Sequence, residues 1–191
     1  MITASGVVGL SLAPDRSLAT LPVAITLVGT AATLIPASWF MQRFGRRAGF
    51  ALGATMGCLA GLAAAAAVHI HSFALFLFAA FLVGCFSGFA QYYRFAAADV
   101  ASDAFRSRAI SWVVSGGVVA AIAGPAIVRF TDTLASPPFL ATYLALIALG
   151  IVSLLFITRL SIPPMRVEQG EGPSRPLWEI IRQPVYLTAL A

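Results

Sequence analysis

The chain contains no lysine, and all 12 of its basic residues are arginine. Acidic residues number only 7, and charged residues of both signs fill 10% of its 191 positions. A soluble domain carries roughly 25%, so this scarcity excludes an ordinary solvated globular surface. Histidine and cysteine are almost as rare. His69 and His71 stand at i, i+2, which does not place them on one helix face, so they read as interface residues and no metal is expected. Cys58 and Cys85 each lie inside an apolar run and read as small buried residues that report no redox compartment. There is no H-E-x-x-H, no G-x-S-x-G, no P-loop and no intramembrane pair of aspartates. No enzyme, catalytic residue or cofactor is therefore expected.

What is present is apolar: 60% of residues are hydrophobic and the mean hydropathy is +0.92. The formal charge of +5 would suit nucleic acid if the arginines shared one face. They sit instead in the loops between apolar runs, which makes the lipid bilayer the expected partner and excludes nucleic acid. The fold class expected is an all-α membrane protein.

Met1 to Ala13 is apolar but too short to cross alone, since a span takes roughly 20 residues. It reads as the outer end of an incomplete first helix, with Pro14-Asp15-Arg16 turning after it. Complete spans are predicted near 18–41, 48–70, 73–98, 108–130 and 138–159. The second of these carries Gly49, Gly53, Gly57 and Gly61 at every fourth position, and the third repeats the spacing at Gly84 and Gly88. Such faces let a neighbouring helix backbone approach closely. Gly124 and Pro125 interrupt the fourth. Residues 160–183 are polar and rich in proline and read as a linker, while 184–191 turn apolar again as the start of a seventh helix.

Between the first two complete spans lies S-W-F-M-Q-R-F-G-R-R-A-G-F, Ser38 to Phe50. A turn this short and basic between membrane-length segments reads as a cytoplasmic hairpin loop. Its arginines Arg43, Arg46 and Arg47 surround Gly45. The stretch resembles the signature loop between the second and third spans of the major facilitator superfamily of secondary transporters, roughly G-x-L-a-D-R-x-G-R-R. Gln42, Arg43, Gly45, Arg46 and Arg47 fall on D-R-x-G-R-R. Ser38 replaces the usual glycine and Gln42 the usual aspartate. The Gly124-Pro125 pair resembles part of the family's fifth-span motif, associated mainly with exporters. The arginine usual in the fourth span is missing, with Ala80 in its place.

The resemblance implies a six-helix half-bundle of the major facilitator type over 1–159, with its first helix partial, followed by an interhalf linker. It implies transport of a small solute by alternating access, with the C-terminal half as a missing partner. A non-transporting assembly or receptor subunit on the same half-fold is the alternative. It also implies an inner-side gate of Gln42, Arg43, Gly45, Arg46, Arg47 and Asp99. In the family an arginine of the loop pairs with an acid at the inner end of the fourth span; Arg46 matches the arginine, Asp99 is the best-placed acid and Asp103 the second. Candidate pathway residues come from polar stripes at helical spacing: Thr26, Thr30 and Thr33; Ser87 and Gln91; Ser111 and Ser115. Small polar residues in such stripes also serve simply to bond neighbouring helices. A carboxylate deep in a complete span, the usual proton-coupling group, is absent from these stripes. The substrate, direction and coupling ion are not legible.

Placing the Arg43 loop inside puts ten arginines on that side and leaves Arg16 and Arg129 outside. That bias predicts a multi-pass protein of the bacterial inner membrane, with its linker in the cytoplasm. Cysteines introduced at Gly45 and Gly172 are expected to label from the cytoplasm and one at Ser136 from outside. Labelling of positions 45 and 136 from the same side would sink this topology.

Overall fold

A computed structural model describes residues 2–131, 134 and 138–160. Among them every regular element is helical: α1 (Ile2–Leu12), a single 3-10 turn (Arg16–Leu18), α2 (Leu21–Phe44), α3 (Arg46–His69), α4 (Phe73–Ala90), α5 (Tyr93–Val100), α6 (Arg106–Thr131) and α7 (Leu140–Arg159). Five segments are long and apolar enough to cross a bilayer: Arg16–Phe44, Arg46–His69, Phe73–Val100, Arg106–Thr131 and Leu140–Arg159. With the short α1 they form an all-helical half-bundle. The turn expected at Ser136, the linker expected over 160–183 and the apolar 184–191 lie outside the described residues, Leu160 excepted.

The boundaries follow local chemistry. Asp15 accepts from the Ser17 backbone N–H at 3.1 Å and starts the 3-10 turn. Pro22 sits in the first turn of α2, where its missing N–H costs nothing. Ser72 caps α4 by accepting from the Leu75 N–H. The predicted 18–41 helix runs on to Phe44, because Gly45 alone makes the turn into α3. Its φ of +85° and ψ of 158° lie in a region open essentially only to glycine. The span expected over 73–98 is not one continuous helix. It breaks at Gln91–Tyr92, and α5 resumes from Tyr93.

α2 packs mainly on α4, α3 packs on both α4 and α7, and α1 touches α2 and α4. The closest approach is between the backbones of α2 and α4. A Cβ on Gly84 would collide with the Thr26 carbonyl and stand 2.9 Å from the Gly29 Cα, and one on Gly29 would stand 2.6 Å from the Phe81 carbonyl oxygen. Gly88 meets Thr33 on α2 in the same way.

The α3 glycines behave differently from the expectation of a backbone contact. They receive side chains: Met41 at Gly49, Phe89 at Gly53, Phe86 at Gly57 and Ile147 at Gly61. A stripe on one helix spans about 18 Å at 1.5 Å per residue, long enough to meet α2, α4 and α7 in turn. Two buried clusters result. One holds Val8, Ala64, Ala67, Val68, Phe76 and Tyr143, and the other holds Ala37, Met41, Phe50, Ala54, Phe89 and Ile157.

α6 stands apart, resting on α5 and lightly on α7, with no fully buried residue. Gly124 has nothing within 4 Å of where a Cβ would lie, and Pro125 beside it is exposed.

Gly84→Ala is expected to destabilise the bundle by about 1–3 kcal/mol, the usual cost of overpacking. Gly116→Ala, where a Cβ meets open space, serves as the control. Thermal unfolding in detergent reads both, and equal melting of the two variants would refute the α2–α4 contact.

Candidate functional site

A cavity of about 480 Å³ opens between α2, α3, α4 and α7. Thr26, Thr30, Ser87 and Gln91 line it, together with Val23, Leu27, Ala54, Gly57, Val83, Phe86, Leu146, Leu149, Gly150 and Ser153. On α7 these residues fall between the two buried clusters, and on α3 they begin at Ala54 of the second. Among the described residues no charged side chain is on its wall.

The wall is positioned by the α2–α4 contact. With Gly29 against Gly84, the threonine stripe of α2 and the polar end of α4 lie side by side. Thr26 Oγ1 lies 2.9 Å from the Pro22 carbonyl and 3.2 Å from the Ala80 carbonyl across the helix pair. Thr30 donates to the Thr26 carbonyl at 2.9 Å and Ser87 to the Val83 carbonyl at 2.9 Å. These hydroxyl protons are committed to the backbone, so the oxygens face the cavity chiefly as acceptors.

Three of the seven candidate pathway residues are not brought to it. Thr33 donates to Gly29 and packs on Gly88. Ser111 and Ser115 lie exposed on α6 and donate to the carbonyls of Ser107 and Ser111. The periodicity that groups Ser111 with Ser115 is real, but it gives no information on where α6 packs. Ser153, on the α7 wall, was missed by sequence reasoning. It stands alone among apolar residues with no stripe to signal it.

A second constellation lies at the Gly45 end. Arg46, its side chain 9% exposed, is ion-paired to Asp99, which is 49% exposed. Arg46 Nε and Nη1 are buried and have no partner among the described residues. Asp103 instead pairs with Arg106 at 3.2 Å. Arg47 donates to the Thr158 carbonyl, a cation at the last turn of α7 that complements the helix dipole. That role for Arg47 was not foreseen. Arg43 is exposed over the rings of Trp39 and Phe44, at 5.6 and 5.8 Å from their centroids. Gln42 is exposed and its Nε2 reaches Ser38 Oγ at 3.5 Å. Tyr92 donates to the Leu34 carbonyl at 2.7 Å, and Tyr93 stacks on Phe50 at 4.5 Å, so both tyrosines anchor the break between α4 and α5. Among the described residues no cluster of His, Cys, Asp or Glu has the makings of a metal site.

The sequence profile described as Major Facilitator Superfamily matches residues 1–191. The riboflavin transporter RfnT of Brucella anthropi is 39% identical over 194 residues, which is 100% of this chain and 49% of that protein. The uncharacterized MFS-type transporter YddS of Bacillus subtilis is 29% identical over 164 residues, 82% of this chain and 38% of its own length. The MFS-type transporter YdeG of the same organism, also uncharacterized, is 26% identical over the same extents. The chain therefore spans about half the length, or less, of the curated relatives it matches. No solved structure matches it significantly.

Asp99→Asn removes the carboxylate facing a buried guanidinium. The expected cost is about 1–2 kcal/mol, between that of an exposed pair and a buried one. A double-mutant cycle with Arg46→Gln, read by thermal unfolding, measures it. Strictly additive effects would mean the pair contributes no coupling energy.

Proposed function

Because the chain belongs to the Major Facilitator Superfamily, we propose that it is one half of a secondary transporter that moves a small uncharged solute across the bacterial inner membrane. The carrying observation is the charge-free cavity in which Thr26, Thr30, Ser87, Gln91 and Ser153 from three helices meet. Polar groups are costly in a membrane interior and mark pathways when they gather around a cavity. Here they gather within one half-bundle, and in this reading a second half rocks against it about the site.

The relative that matches the whole chain is a riboflavin transporter, so the solute class proposed is riboflavin or a neutral compound of similar size. Phe86 on the cavity wall suits an aromatic ring. The Arg46 end faces the cytoplasm in this reading. The Arg46–Asp99 pair then closes the inner side, with Gln42, Arg43, Gly45 and Arg47 around it, and residues 160–183 link this half to a second one.

The test is uptake of labelled riboflavin by vesicles carrying the whole transporter of which residues 1–191 form one half. Saturable uptake is expected, and residues 1–191 reconstituted alone are expected to give none. Absence of uptake by the whole transporter would overturn the solute. Saturable flux through residues 1–191 alone would overturn the two-half mechanism.

A further inference from the structure

Gln91 differs from the other polar residues of the cavity in what it offers. It sits at the break where α4 ends, with its side chain on the cavity wall. Its Oε1 accepts from Arg94 Nη2 at 3.1 Å. A guanidinium has donors and no acceptor. The amide therefore has one favoured orientation, with oxygen towards Arg94 and the NH2 group turned away. Nε2 makes no hydrogen bond within the protein among the described residues.

Arg94 is free to hold this role. The two ion pairs among the described residues join Arg46 to Asp99 and Arg106 to Asp103, and neither involves Arg94. The hydroxyl protons of Thr26 and Thr30 on the adjoining α2 wall, and of Ser87 one turn earlier on α4, are already donated to backbone carbonyls. Acceptors thus face the solute from Thr26, Thr30 and Ser87, and donors face it from Gln91. Ser153 stands on the α7 wall, its hydroxyl shared with the Tyr93 phenol.

We propose that Gln91, oriented by Arg94, is the specificity-determining donor that reads a carbonyl oxygen of the transported solute, with Arg94 as its positioning residue. The inference rests on the cavity being the solute site of a transporter for neutral, flavin-sized compounds. The solute then carries a carbonyl at its α4–α5 end and hydroxyl or N–H donors toward α2. On this half's wall an ionised group would have no partner. The orientation of the amide makes the site selective: an acceptor meets an N–H, whereas a donor at the same place meets another donor and is left unpaired.

The test measures binding of riboflavin and of its 2-thio and 4-thio analogues to the purified whole transporter by quenching of flavin fluorescence. Sulfur accepts hydrogen bonds weakly, so one of the two analogues is expected to bind the wild type about tenfold more weakly, the value of roughly one good hydrogen bond. Gln91→Ala is expected to weaken riboflavin about tenfold and to erase that oxygen-to-sulfur ratio. Gln91→Glu, which offers only acceptors when ionised, weakens it further. Arg94→Ala frees the amide to turn and gives an intermediate loss with a reduced ratio, and Arg94→Lys, which keeps a donor, restores part of it. A purely structural role would lower folded yield and leave the ratio unchanged. A wild-type ratio in Gln91→Ala overturns the proposal while leaving the transport reading intact. A wild type that does not bind riboflavin overturns the solute reading and this proposal with it.

Discussion

The bundle depends on the contact between the backbones of α2 and α4 at Gly29, Gly84 and Gly88. In lipid there is no hydrophobic force between helices, so close packing and interhelical hydrogen bonds must hold them. A backbone approach that a single Cβ would block delivers both. It brings Thr26 near enough to bond the Ala80 carbonyl. It also fixes the rotation of each helix about its axis, because the glycines must face each other. Everything else on those helices is thereby assigned a side. Thr26, Thr30, Ser87 and Gln91 come to one cavity because they lie on the flank of the glycine seam.

At the other extreme of α2 the constraint is covalent. One residue, Gly45, joins two long helices, so α2 and α3 leave the turn with little freedom. Arg46 and Arg47 are then presented at a fixed height. Arg46 reaches Asp99 on α5 and Arg47 reaches the carboxyl end of α7. Two adjacent arginines thus tie the ends of two helices, α5 and α7, to the turn. The break at Gln91–Tyr92 belongs to the same system. It lets α5 diverge from α4 far enough for Asp99 to meet Arg46, while Tyr92 keeps the junction tied to α2 through the Leu34 carbonyl.

Much of this was legible in the sequence, and the reason is periodicity. Long apolar runs bounded by arginines gave the spans, because helix length in a bilayer is set by thickness. Thr26 and Thr30, or Ser87 and Gln91, share a face by spacing alone. Three things resisted. Spacing says that Ser111 and Ser115 share a face, but not that this face of α6 would stand exposed. The glycine stripe of α3 looked like the site of backbone contact, yet the shorter pair on α4 holds that place. The sequence cannot reveal that Gly29, isolated on its own helix, is the opposing member. Ser153 carries no pattern at all. What failed each time was the pairing between helices, which no single-helix period encodes.

The chemistry of the two regions is complementary in a way that bears on mechanism. The cavity has no charge, and the charges near it are gathered at the Gly45 end, where most are already matched. Arg46 and Asp99 neutralise one another, Arg106 and Asp103 do the same, and Arg47 rests on a helix end. Arg94 spends a donor on a neutral amide instead. An ammonium there would serve less well, since it lacks the fixed planar fork that orients a partner. The guanidinium lends polarity to Gln91 from outside the cavity, without bringing a formal charge onto the wall.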